Sequence, residues 1–287
     1  MRKTDFIVRP MQPGDIVYAM KLSNAESWNQ TENDWKLLIE SPQNVCLVAE
    51  YNKKIIGTTT AMNYANQIAW IGMVLVAKES RGQGVSKLLL TNILKKLESF
   101  ESIKLDATPA GQQVYKKFDF KDEYLITRLV TGSIKDLSFD DDTRLVESIR
   151  LKDIEEIVAL DEHVFGTNRR QLIESLIIRC PHKAWLLKRN NSIAGFALGR
   201  DGNKYHQVGP VCGSTINDVK MLIRRALKEL IYQPVVIDVL SEKEDLISWL
   251  HSIGFTMQRH FVRMYKKENL FPGIVNKQYL ICGPEFG

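Results

Sequence analysis

Residues 73–86 read Met-Val-Leu-Val-Ala-Lys-Glu-Ser-Arg-Gly-Gln-Gly-Val-Ser, an apolar run followed by a loop with two glycines and the start of a helical period. Glycine lets the backbone turn sharply and leaves its amide open to a ligand. The first amides of a helix have no partner within it and sit at the positive end of its dipole, so they attract an anion. A strand, a glycine loop and a helix in that order read as a phosphate cradle, and Arg81 adds a permanent charge at its mouth. Two nucleotide fingerprints are excluded. No glycine stands where GxxxxGK[ST] needs one before Lys87, and GxGxxG fails because Lys87 occupies the third glycine position.

The pattern that does fit is Arg-x-x-Gly-x-small, realised as Arg81, Gly84 and Ser86. Here the chain resembles the GNAT superfamily of N-acetyltransferases, whose pyrophosphate loop runs Gln/Arg-x-x-Gly-x-Gly/Ala. Ser86 departs from that pattern, but serine is small and keeps its amide. A second landmark follows in family order. Tyr115, within Pro109 to Phe120, stands where the family carries a tyrosine beside the coenzyme sulfur, and Asp119-Phe120 replaces the Gly-Phe that opens the next strand.

The resemblance implies acetyl-CoA held by Met73, Val74, Val76, Arg81, Gly82, Gln83, Gly84, Val85 and Ser86. It also implies direct acetyl transfer to a primary amine on a small molecule, without metal or prosthetic group. Tyr115 would protonate the departing thiolate, and a strand amide near Val74 would meet the carbonyl oxygen as it gains charge. A protonated amine cannot attack, so a base or water chain must take a proton. Asp106 is the expected base, with Glu26 and Asp34 as the other first-half carboxylates facing the acceptor. Glu26, Trp28 and Asn29 would shape the acceptor pocket. Each has a plainer reading beside this one: Tyr115 as packing for Phe118 and Phe120, Asp106 as a salt-bridging carboxylate, Trp28 as a core aromatic. Two other functions also stay open, a coenzyme-binding sensor without turnover and modification of a protein N-terminus or lysine.

The elements that must position these groups alternate along the first half. Phe6 to Arg9 reads as a strand, Pro13-Gly14-Asp15 opens a helix, and Trp28 to Glu40 is a second helical region. Val45 to Tyr51 and Ile55 to Tyr64 form a hairpin around Asn52-Lys53-Lys54, and Gln67 to Val76 is a further strand. Val85, Leu89, Ile93 and Leu97 then recur every four residues as an amphipathic helix. Ile103, Leu105 and Ala107 alternate with polar residues, Thr108-Pro109 caps a helix, and Tyr124 to Val130 closes the unit. Asp136 to Asp142, with three successive aspartates, is the expected linker.

The second half echoes the first. Gly57 recurs at Gly195 (offset 138), Gly72 at Gly209 (offset 137) and Phe120 at Phe255 (offset 135), which argues for a duplicated unit. The loop after Val211-Cys212-Gly213 lacks the Arg-x-x-Gly-x-small pattern, although Val219 to Leu230 keeps the helix. The expectation is an α+β fold, tandem and GNAT-like, with a mixed sheet flanked by helices in each lobe. Residues 1–135 would bind acetyl-CoA, and 143–287 would be degenerate, walling the acceptor site or serving as a structural partner.

Composition agrees with that scale. The chain has 287 residues, 44% hydrophobic and 25% charged, near twice a ~150-residue domain. Thirty-nine Lys and Arg against 34 Asp and Glu give +5, without a basic run suited to nucleic acid. No apolar stretch approaches the ~18 residues of a membrane span, and Phe6-Ile7-Val8 is too short for a signal peptide. Cys46, Cys180, Cys212 and Cys282 are scattered, which suits a reducing cytoplasm. His163, His206 and His251 have no metal spacing, and the sequence leaves oligomeric state unread.

Overall fold

The computed structural model describes residues 6–134 and 145–287; the expected linker, 136–142, lies outside the described residues. The first half runs β1 (Ile7–Pro10), α1 (Ile16–Ala25), α2 (Glu32–Glu40), β2 (Val45–Tyr51), β3 (Lys54–Tyr64), β4 (Ile68–Val76), α3 (Val85–Lys96), β5 (Ser102–Ala107), α4 (Pro109–Lys116) and β6 (Lys121–Thr131). The second repeats that order: β7 (Val146–Ser148), α5 (Ile154–Phe165), α6 (Arg170–Arg179), β8 (Trp185–Arg189), β9 (Ser192–Arg200), β10 (His206–Gly213), α7 (Ile216–Lys228), β11 (Val235–Leu240), α8 (Glu244–Ser252) and β12 (Thr256–Lys267). A short strand, β13 (Gln278–Leu280), follows and has no counterpart among the described residues of the first half.

Local chemistry explains most of these boundaries. Thr31 and Asp34 form a reciprocal capping box, so α2 begins after Thr31 and leaves Trp28 to Gln30 as an entry loop, later than the helical region expected from Trp28. The hydroxyls of Thr108 and Thr215 accept from backbone amides three residues on and start α4 and α7. Val85, Leu89 and Ile93 of α3 are buried against β3 and β4, and Val219, Leu222 and Ala226 of α7 repeat that stripe against the second half of the sheet. The repeated glycine has a packing cause. A Cβ at Gly57 would meet Leu89 at 3.0 Å, and one at Gly195 would meet Leu222 at 3.2 Å, so each helix lies close over its strand.

All strands join one mixed sheet in the order β1-β2-β3-β4-β5-β12-β6-β11-β13-β10-β9-β8-β7. The two halves exchange their closing strands. β6 of the first half pairs with β11 of the second, β12 of the second pairs with β5 of the first, and β12 and β6 meet in the middle. The halves are thus interlocked through their backbone ladders.

A notch opens in each half, with different contents. In the first, β4 and β5 run parallel only from Ile68↔Ser102 to Ile71↔Leu105. Beyond that β5 keeps only its ladder to β12, which runs along its whole length on the other edge, and β4 bulges at Met73, whose φ is +52°. In the second half β10 and β11 are parallel at His206 to Val208 and then diverge in the same way. There β13 lies between them, with Leu280 opposite both Val211 and Val239. The second notch is filled by the protein itself.

Candidate functional site

The first notch opens into a cavity of about 550 Å³. One wall is the loop between β4 and α3. Gly82 and Gly84 take positive φ of +74° and +87°, and a Cβ at Gly82 would meet nothing within 4 Å, so the loop turns without side-chain bulk. Gly84 is the N-cap of α3 and leaves the amides of Val85 and Ser86 unpaired within the helix. Met73, Val74, Val76, Arg81, Gly82, Gly84, Val85 and Ser86 all line the cavity. Gln83 does not; its amide folds back to donate to the Glu79 carbonyl at 3.0 Å. The open amides and unfilled space suit a pyrophosphate, and the adjoining strand edge suits an extended arm.

Arg81 carries an ion pair to Glu26 at 2.5 Å, and both side chains border the cavity. Glu26 therefore neutralises the cradle's arginine in this arrangement, a contact that an incoming phosphate would compete with. Trp28 lines the same cavity and also packs on the apolar core. Asn29 does not line the cavity. It is buried away from the cavity, donates to the Tyr205 carbonyl at 3.0 Å and accepts from the amides of Lys204 and Tyr205. Its bonding capacity is spent on a second-half loop.

Tyr115 reaches the cavity from α4 while its ring packs edge-on against Phe120 at 5.9 Å. Burial pushes its hydroxyl well above the usual phenol range, so it stays protonated at neutral pH. Asp106 borders the same space, but its side chain is 0% exposed and both its oxygens accept from Arg263, at 2.9 Å each. Arg263 also donates to the Tyr124 hydroxyl at 2.6 Å and lies over the Trp70 ring. Burial pushes the Asp106 carboxyl up, opposed by the guanidinium. The geometry makes Asp106 the anchor of a β5–β12 ion pair rather than a free base. Asp34 does not line the cavity; it caps α2 and pairs with Arg200 at 2.8 Å.

Sequence reasoning missed the far wall because only the strand exchange and the chain's closing segment build it. Arg128 on β6 and Arg259 and Phe261 on β12 line the cavity, as do Pro284 and Glu285. Gly72 on β4 admits that segment, since a Cβ there would meet the Glu285 Cα at 3.0 Å. The Trp70 indole donates to the Pro284 carbonyl at 3.1 Å, and the Tyr64 hydroxyl to the Phe286 carbonyl at 2.7 Å. No local motif marks residues 281–287 as functional.

Burial pushes the Cys46, Cys212 and Cys282 thiols up to about 12, which makes them poor nucleophiles. Among the described residues there is no cluster of three or more metal-binding side chains, and no helix is long and apolar enough to cross a membrane.

Comparison with known proteins places this geometry. Residues 19–125 and 157–280 each match a family model described as an acetyltransferase (GNAT) domain, together well over half the chain. The holothin acyltransferase of Pseudoalteromonas sp. (strain SANK 73390) is 23% identical over 243 residues, covering 84% of this chain and 81% of that protein. A candidate acetyltransferase structure from Pyrococcus horikoshii superposes with a TM-score of 0.83 at 21% identity, covering 100% of this chain and 98% of that one. A tandem GNAT protein from the clavulanic acid biosynthesis pathway superposes with a TM-score of 0.61 at 11% identity over 91% of this chain and 98% of its own. At these identities the two structures establish likeness of fold. Both halves of the chain belong to the GNAT acetyltransferase family, and the protein is a tandem GNAT acyltransferase.

Proposed function

We propose that the first half transfers an acetyl group from acetyl-CoA directly to a primary amine of a small molecule. The observation that carries this reading is the convergence of the glycine cradle, the β4–β5 notch and the Tyr115 hydroxyl on one cavity. Acetyl-CoA supplies a thioester whose acyl carbon accepts the amine. The amides of Val85 and Ser86, with Gly82 and Gly84 clear of side chains, would hold its pyrophosphate, and the exposed edge of Met73 to Val76 would hydrogen-bond the pantetheine arm.

The bulge at Met73 turns the following backbone toward the notch, where the Val74 amide is suited to meet the thioester oxygen. The Thr58 hydroxyl donates to the Met73 carbonyl at 2.7 Å and holds the bulge in place. As the C–N bond forms and the C–S bond breaks, the nitrogen gives a proton to water and sulfur gains one. Tyr115, kept protonated by burial, is the donor to sulfur. No covalent enzyme intermediate is needed.

Tyr115→Phe tests the assignment. Acetyl-CoA binding stays within about twofold while turnover falls by about 10². Unchanged turnover would return Tyr115 to a packing role.

The second half would act as the acceptor wall and bind no acetyl-CoA of its own. β13 fills its notch, and Ser214 to Val219 replaces the glycine cradle with a threonine-capped helix start. The relative named for holothin, at 23% identity, leaves the acceptor of this chain open.

A further inference from the structure

Resting on the acetyl-transfer reading, we infer that the acceptor is an amino-carboxylate, its carboxylate held by Arg259. The cavity wall beyond the notch carries an unpaired positive charge that the acetyl donor does not explain.

Arg128 and Arg259 face each other across the β6–β12 ladder. Arg128 is held by Asp238 through Nε and Nη2, both at 2.7 Å, and Asp238 also accepts from Gln207 at 3.1 Å. Arg259 has no ion pair or hydrogen bond among the described residues, yet it is half-buried in the cavity wall. Two guanidiniums beside one carboxylate leave one net positive charge. Burial and the neighbouring Arg128 both push the Arg259 guanidinium down, and a bound anion would reverse that.

Arg263, paired to Asp106 at the notch, and Arg259 are four residues apart on β12, roughly 13 Å by strand rise. A molecule with amine and carboxylate at its two ends would be oriented with the amine toward the thioester. A neutral amine would leave Arg259 unsatisfied, which is how a polar site rejects an analogue lacking the matching group.

The test uses the full chain with acetyl-CoA and a panel of amino-carboxylates whose amine lies α to ε to the acid, each beside its methyl ester. CoA release is followed, and acetyl-CoA binding to the same protein is measured by calorimetry. At least one acid is expected to exceed its ester in kcat/KM by about tenfold or more, the discrimination of one charge-assisted contact. Arg259→Gln should erase that difference by raising KM for the acid, and Arg259→Lys should restore part of it. Esters as good as their acids, a preference that survives Arg259→Gln, or no turnover of any acid by protein that binds acetyl-CoA would overturn the inference. Absence of acetyl-CoA binding would instead sink the acetyl-transfer reading.

Discussion

Asn29 shows how a residue of suitable type in a suitable place can serve another purpose. Its side chain bridges the first-half entry loop to Lys204 and Tyr205, and the Asn203 amide donates to its backbone carbonyl at 2.8 Å. Asn29→Ala removes three partly buried hydrogen bonds and should cost about 2 kcal/mol in denaturant unfolding, with acetyl-CoA affinity unchanged. A loss of affinity at unchanged stability would return Asn29 to the pocket. The cradle residues were legible because the loop's function lies in its own backbone, and Gly82, Gly84 and Ser86 need little from the rest of the fold. Glu285 and Arg259 were not legible. Their positions depend on strands and a segment that arrive from more than 130 residues away.

At the scale of elements, the repeat is written most clearly at glycines and their substitutes. Asp119 and Gly254 both precede the closing strands with positive φ, +65° and +99°. Aspartate tolerates that region with a penalty that glycine lacks. The Asp119 side chain is 89% exposed and makes one surface contact, to Lys266 at 3.2 Å. Asp119→Gly should therefore raise stability by about 0.5–1 kcal/mol, read as an upward shift in Tm; a fall would mean the surface ion pair outweighs the strain. Periodicity identified α3 and the β2–β3 hairpin well, since Val85, Leu89 and Ile93 face a core that local pattern alone predicts. No periodicity in the sequence could show that Gln278 to Leu280 enters the second notch as β13.

Across the whole molecule, the strand exchange changes what the two halves are. Offsets near 137 revealed the duplication, yet reading each half as self-contained misses that β6 and β12 are traded. Pairing between strands distant in sequence is not encoded in local pattern, because an amphipathic strand fits either neighbour. Neither 1–135 nor 143–287 alone would pair both of its outer ladders, so each half expressed separately should aggregate or unfold. Co-expression should give one soluble complex that melts in a single transition. Independent folding of either half would contradict the interlock. The exchange also makes the second half part of the first-half cavity, through Arg259, Phe261 and Glu285, while its own notch is closed by β13.

The central claim is one working cradle per chain, in the first half. Calorimetric titration of the intact chain with acetyl-CoA, beside Gly84→Asp and Gly84→Ala, tests it most directly. The account predicts one site per chain and a loss of at least about tenfold in affinity for Gly84→Asp, where an anion enters the cradle. Gly84→Ala carries the strain at φ +87° without the charge and should lose less. Two sites per chain, or equal affinity in Gly84→Asp, would contradict it.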